Sequence, residues 1–420
     1  MTTGQSAPEV GVGHNPLGAL MDHAIRADPY PYLAELRERG PFSVLDGSVV
    51  IFGEYEHCSQ ILRHRDMGSD TSESPMIKNF VVNEEDRAAS SIFFMDPPGH
   101  GRQRKFISKS FTPRIVSGFE SQIRKIVDGL FEDFIDKGEL DVVSELAFPV
   151  SIGIICDLFD IPQDERHMLK EWSDDLALST EMPTLGAAIG VQNVFSVDEI
   201  NRFGSNAMAA HAYFADLIHR RRKNPGEDLV SSLLATESDG DRLTRHEVTS
   251  VLSTLFVAAH ESTTNLISGG LLALLRNPDQ LAILREDPSV ISTLVDETLR
   301  YDPPVHLAAR MAKAPATIGG YDLREGDIVV ALMAAGNRDP RAYPDPDAYD
   351  VRRKPKPMSL AFGAGAHFCI GSSLAKLEAE IAISEFVQRL SDMELDESSL
   401  EYRRHIVVRG LERMCVSFKR

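Results

Sequence analysis

Cys369 stands in the run Phe362-Gly-Ala-Gly365-Ala-His367-Phe-Cys369-Ile-Gly371, with glycines at 363, 365 and 371, directly ahead of the helix-forming stretch Ser372-Ser-Leu-Ala-Lys-Leu-Glu. A cysteine at a helix N-terminus has its thiolate stabilised by the helix dipole and by free backbone N–H groups, and such a thiolate suits a metal. The flanking glycines allow close backbone approach to a flat ligand, with Phe362 as an apolar wall. His367, two residues before the thiol, is placed to donate to an anionic edge group. A cysteine taken alone is more often an inert core residue. Cys58, Cys156 and Cys415 make no CxxC pair with it or with each other, so neither a disulfide framework nor a cysteine-only zinc or iron–sulfur site is supported.

A second group of chemically capable residues interrupts the apolar tract 248–275 at its middle: Ala258-Ala259-His260-Glu261-Ser262-Thr263. A buried acid and hydroxyl are expensive there unless they have partners or a purpose. A zinc protease would need histidine at position 264, which is Thr264. His100 and Arg104, four apart, share one side of a helix. Arg102, Lys105 and Lys109 fall on roughly the opposite side, and no acid occurs between Asp96 and Glu120. That basic face reads either as a solvated surface or as a dock for an acidic partner. Glu297 and Arg300 lie three apart on a helix spanning 290–300, where an isolated pair is worth a few tenths of a kcal/mol, roughly.

The elements that must hold these residues follow from periodicity and turn chemistry. Residues 1–17 lack a pattern and read as a flexible lead-in. Helical patterns dominate from 28 to 301, with a β-like exception at 48–52. After Pro303 and Pro304 come brief β-rich runs such as 327–332, a Pro-rich meander over 339–357, a helix over 371–390 and a hairpin-like end. The segment 179–204, rich in small and polar residues, reads as a long mobile loop able to gate a pocket. No linker separates two composition zones, so 18–420 reads as one mainly α (α+β) unit with small sheets. With 43% hydrophobic residues the chain can bury a large core, and its formal charge of −19 disfavours nucleic acid and anionic lipid surfaces as partners. The N-terminus shows no basic patch followed by an apolar run, so neither a signal peptide nor a membrane anchor is expected and the expected location is cytoplasmic.

Phe362, Gly365, Cys369 and Gly371 together make the pattern FxxGxxxCxG, which resembles the haem-ligand loop of the cytochrome P450 family. The resemblance extends in order over nearly the whole chain, and it implies the family's fold, a mainly helical unit enclosing haem b. It implies that Cys369 is the axial ligand of the iron. By the same resemblance His100, Arg104, Arg310 and His367 bind the haem propionates, and Glu297 and Arg300 close a structural network with Arg353. Ala259-His260-Glu261-Ser262 is similar to the family's oxygen-activating motif, in which Glu261 would relay protons and Ser262 would hydrogen-bond oxygen. It departs from that motif at Ala259, where glycine is usual, and at Ser262, where threonine is usual, which bears on how well electrons are coupled to product.

The function so implied is monooxygenation of an apolar small molecule of terpenoid, steroid, fatty-acid or polyketide class, in a pocket lined by Thr254, Val257, Ala258, Val305, His306 and Leu307. Electrons would come from a ferredoxin and its NAD(P)H-dependent reductase, docking near Arg102, Lys105 and Lys109. Two alternatives stand beside it: a peroxide-driven peroxygenase, whose relatives typically lack the acid–alcohol pair, and a haem-binding sensor or carrier that never turns over. Gly363-Ala-Gly365-Ala-His367-Phe368 fails the last position of GxGxxG, so a dinucleotide site is disfavoured.

Overall fold

The computed structural model describes residues 16–72, 74, 91–189, 196–236, 240–354 and 356–420. The helices that matter for the site are α1 (Gly99–Ile107), α2 (Phe148–Leu158), α3 (Arg166–Ile189), α4 (Val197–Lys223), α5 (Arg245–Arg276), α6 (Ile291–Tyr301) and α7 (Ser372–Arg389). Helix α5 begins with a capping box, in which the Thr244 hydroxyl accepts from Glu247 N and the Glu247 carboxylate accepts from Thr244 N. It ends at Asn277, immediately before Pro278. Its residues from Val248 to Leu274 are buried on nearly every face because α2, α4, α6 and α7 all pack on it. A helix that is apolar all round belongs in such a position.

Strands β1 (Phe42–Val44), β2 (Val49–Phe52) and β3 (Met67–Gly68) precede the helical region, and β4 (Glu139–Asp141) lies within it. After α6 come β5 (Ala308–Ala312), β6 (Ala316–Ile318), β7 (Tyr321–Leu323) and β8 (Ile328–Ala331). The chain closes with β9 (Ser391–Leu395), β10 (Glu401–Tyr402), β11 (Leu411–Arg413) and β12 (Cys415–Lys419). One five-stranded sheet runs β1-β2-β8-β5-β3, with β2 and β8 parallel and the other pairs antiparallel. Its inner strands β2 and β8 are buried throughout, as strands covered on both faces must be. The hairpin β10–β11 belongs to the chain's end, and in the three-stranded sheet β4-β12-β9 the C-terminal β12 pairs with both β9 and the much earlier β4.

Two expectations change. The segment 179–204 is helical for most of its length: α3 runs on to Ile189, and α4 starts at Val197 behind a Ser196–Glu199 capping box. Only 190–195 of that segment lie outside the described residues. Packing of α3 against α4 supplies the stability that the weak periodicity of the segment did not announce. Residues 1–15 of the expected lead-in lie outside the described residues, whereas Pro16 and Leu17 belong to the fold. Leu17 is fully buried, and the Tyr32 hydroxyl donates to the Pro16 carbonyl at 2.9 Å.

Candidate active site

A largely apolar cavity of about 390 Å³ brings together α1, α5, α7, β5 and the cysteine loop. The loop is shaped by two glycines. Gly363 and Gly365 take φ of +67° and +68°, and a Cβ on Gly365 would come within 2.7 Å of the Leu62 carbonyl. Gly365 is therefore required for a left-handed turn packed against the helix Tyr55–Arg63, a reason separate from approach to a flat ligand. Cys369 N donates to Phe362 O at 2.9 Å, closing the loop, and Gly371 caps α7. Burial pushes the Cys369 thiol up, while the N–H groups of Gly371 and Ser372 and the charge of Arg104 pull the other way. The helix end thus offsets only part of the cost of burying a thiolate, and a bound cation would supply what is missing.

On the cavity wall beside the thiol, four basic side chains converge, and among the described residues no carboxylate is hydrogen-bonded to any of them. The rings of His100 and His367 lie 3.9 Å apart, and Arg104 donates to the Phe368 carbonyl at 2.6 Å. Arg310, carried inward by β5, donates among the described residues only to its neighbour Ala309 O, and burial lowers its guanidinium to about 10. His367 is lowered to about 3, by burial first and then by Arg310 and His100. A buried guanidinium without an anion is costly, so this wall is built for anionic groups such as a pair of carboxylates. The residues fit haem b: a thiol for the iron, a basic wall for the propionates, and apolar sides with Phe362 among them.

The middle of α5 supplies Thr254, Val257, Ala258, Ala259, Glu261, Ser262 and Thr263 to the same cavity. Thr254 Oγ1 donates to Ser91 Oγ at 2.8 Å. Ser262 Oγ donates to the Ala258 carbonyl at 2.7 Å, so in this rotamer its proton is engaged along the helix and its lone pairs are what it offers to other groups. Glu261 is buried and paired with Arg403, whose Nη1 lies 3.1 and 3.3 Å from the two carboxylate oxygens. Burial pushes the Glu261 carboxyl up, but Arg403 above all outweighs it and holds the group below the usual carboxylate range.

Beyond the double proline, Val305 and Leu307 line the cavity but His306 does not. Its segment is extended, bridged from Val305 to Val408, so alternate side chains point to opposite sides. His306 faces a small separate cleft with Arg409 and Tyr402, 4.0 Å from Asp302, and burial lowers its imidazole to about 3. It is removed from the pocket set. Arg102 also differs from expectation: it donates to Asp241 at 2.6 and 3.0 Å and to Glu247. Its acids come from far along the chain, which a local acid-free window cannot reveal. Lys105 and Lys109 remain exposed, with Lys109 Nζ 5.7 Å from the Phe106 ring.

Glu297 and Arg300 are wholly buried and joined by two 2.8 Å hydrogen bonds, and Arg353 Nε adds a third contact to Glu297 at 3.0 Å. Arg300 and Arg353 also donate to the carbonyls of Pro344, Asp345, Pro346 and Ala348. The three charges hold α6 to the meander that leads into the cysteine loop. Two further residues carry weight that no sequence pattern suggested. One is Arg403. The other is Glu378 on α7, a cavity-lining acid whose Oε2 has no hydrogen-bond partner among the described residues and whose carboxyl burial pushes well above its ordinary value.

The cytochrome P450 family profile matches residues 41–402. A biotin biosynthesis cytochrome P450 from Bacillus subtilis is 37% identical over 78% of this chain and 80% of its own length. The vitamin D(3) 25-hydroxylase of Pseudonocardia autotrophica is 35% identical over 93% of this chain and 94% of its own. Among solved structures, ligand-free Mycobacterium smegmatis CYP164A2 superposes with a TM-score of 0.86 at 35% identity, covering 96% of this chain and 99% of that one. No helix among the described residues is long and apolar enough to cross a membrane. A thiol at a helix start, a basic wall beside it, an acid and a hydroxyl on the long helix, and similarity of this extent make the chain a member of the cytochrome P450 family, a monooxygenase that binds haem b.

Proposed function

We propose that the chain inserts one oxygen atom from dioxygen into an apolar molecule of terpenoid, steroid, fatty-acid or polyketide class, with electrons from a ferredoxin and its NAD(P)H-dependent reductase in the cytoplasm. The observation that carries this reading is the placement of Cys369, Glu261 and Ser262 on one largely apolar cavity. Haem b supplies the redox-active iron at which dioxygen is activated. Cys369 would hold the iron, and His100, Arg104, Arg310 and His367 would hold the propionates. Thr254, Val257, Ala258, Val305 and Leu307 would receive substrate and exclude water, as apolar linings do. Glu261 would move the proton and Ser262 would orient it toward oxygen. A relative named as a vitamin D(3) 25-hydroxylase supports a ligand of steroid-like size and polarity. The exposed Lys105 on α1 and Lys109 just beyond its end would meet the acidic electron donor.

The carbon monoxide complex of the reduced protein tests the assignment. The band typical of thiolate-ligated haem is expected in wild type and in single alanine variants of Cys58, Cys156 and Cys415. It is expected to be absent in Cys369→Ala. A band that persists in Cys369→Ala would place the iron ligand elsewhere.

A further inference from the structure

Glu261 lies between two partners with opposite demands. Arg403, just beyond β10, offers only donors, and its Nη1 also reaches Asp174 Oδ1 on α3 at 2.5 Å. The Asp174 side chain is 64% exposed, whereas that of Glu261 is 4% exposed, so one guanidinium spans from the buried acid to the surface. Arg403 is itself held in place, its Nε donating to Leu411 O at 3.3 Å and its own carbonyl accepting from Arg26 Nη1 at 2.9 Å.

On the other side lies His260, fully buried between the rings of Phe148 and Phe256. Its Nδ1 is 2.6 Å from the Phe256 carbonyl. A carbonyl can only accept, so Nδ1 carries the hydrogen. Burial lowers the imidazole below its ordinary value, so the ring is neutral and Nε2 is a bare lone pair. Among the described residues that atom has no hydrogen-bond partner, and it lies 3.9 Å from Glu261 Oε2. Two acceptors at that distance attract only when a proton is placed between them. The remaining charged and polar groups around the acid are His405 beside Arg403, Glu412 on β11, and Asn265 one turn along α5.

We propose that Arg403 and His260 are the positioning residues of Glu261: Arg403 holds it as a carboxylate tied to Asp174 at the surface, and His260 Nε2 receives it as a neutral acid. The inference rests on the reading of Glu261 as the proton relay. In the loading step a proton from water adds to a Glu261 carboxylate oxygen. The ion pair with Arg403 is lost, Asp174 continues to balance the guanidinium, and the new O–H donates to His260 Nε2. Glu261 returns to Arg403 once that proton has been passed into the cavity.

The experiment is infrared difference spectroscopy of the haem-loaded protein over a pH titration, with the Glu261 carboxylic C=O band identified by its loss in Glu261→Gln. Arg403→Met is expected to raise the proton affinity of Glu261 by about tenfold or more, that is one pH unit or more in the midpoint. Arg403→Lys should restore most of the wild-type midpoint. Asp174→Asn, at an exposed position, should lower the midpoint, because the guanidinium then answers to Glu261 alone. His260→Phe should move the C=O band to higher frequency by removing its acceptor. Unchanged midpoints in both Arg403→Met and Asp174→Asn, or an unmoved band in His260→Phe, would overturn the proposal. Should Arg403→Met fail to bind haem, the downward shift in Asp174→Asn decides alone. If instead Glu261→Gln leaves the solvent isotope effect on turnover unchanged, the relay reading itself fails, whatever the midpoints show.

Discussion

The Ser262 side chain has a hydroxyl without the β-methyl that would restrict χ1, and its proton is engaged by the Ala258 carbonyl. Ser262→Ala should retain haem and substrate binding yet lower the product formed per NAD(P)H consumed and raise the peroxide released. Ser262→Thr should raise that ratio above wild type where the cavity accepts the extra methyl, because the hydroxyl is then aimed more narrowly. Equal ratios in the three proteins would remove Ser262 from the mechanism. The placement of single side chains on one cavity was legible in the sequence where a local pattern named them, as with Cys369, Glu261 and Ser262. His306 was misassigned because three consecutive residues of an extended segment cannot all face one cavity, and strand alternation there was visible only once Val305 bridged Val408. Arg403 and Glu378 escaped notice for a different reason. Each is an ordinary charged residue in sequence, and its meaning comes from Glu261, 142 residues away, in one case and from burial of a carboxylate oxygen with no partner among the described residues in the other.

At the scale of elements, the site depends on α6 and the meander staying together, and Glu297 is the joint. Its carboxylate accepts from Arg300, Arg353 and the Asp350 N–H at once. Glu297→Gln removes the charge that both guanidiniums face while leaving them in place. Disrupting a buried ion pair costs about 3–5 kcal/mol. We therefore expect a lower urea midpoint for Glu297→Gln together with loss of haem on purification. A variant with wild-type stability and full haem content would show that the network is dispensable. The sequence predicted the termini of these elements within a residue or two, at 327–332 against Ile328–Ala331 and at 371–390 against Ser372–Arg389. Those boundaries are set by local signals, Gly326 just ahead of the strand and Gly371 just ahead of the helix. It misread 179–204 because α3 and α4 are stabilised by one another rather than by their own periodicity. An exposed ion pair was the reading for Glu297 and Arg300 in isolation, and only tertiary packing makes them buried.

For the whole molecule, if a chain of net charge −19 takes its electrons from an acidic ferredoxin, as proposed, it needs at least one region where the long-range repulsion is reversed. Lys105 on α1, the helix that also carries His100 and Arg104, and Lys109 in the turn just after it are the exposed cations nearest in sequence to the basic wall of the cavity. Arg102 contributes less, since Asp241 and Glu247 already neutralise it. The double variant Lys105→Glu/Lys109→Glu should slow reduction by ferredoxin at low ionic strength. The gap to wild type should close as salt is added, because exposed charges are screened over about 8 Å at 0.15 M. Arg102→Glu should act differently: by leaving Asp241 and Glu247 opposed to a third acid at the start of α5, it should lower the temperature of unfolding more than it alters the reduction rate. Stopped-flow reduction across a salt series, with thermal unfolding measured on the same three proteins, separates these effects. Identical reduction rates in wild type and the double lysine variant at low salt would move the docking face away from α1.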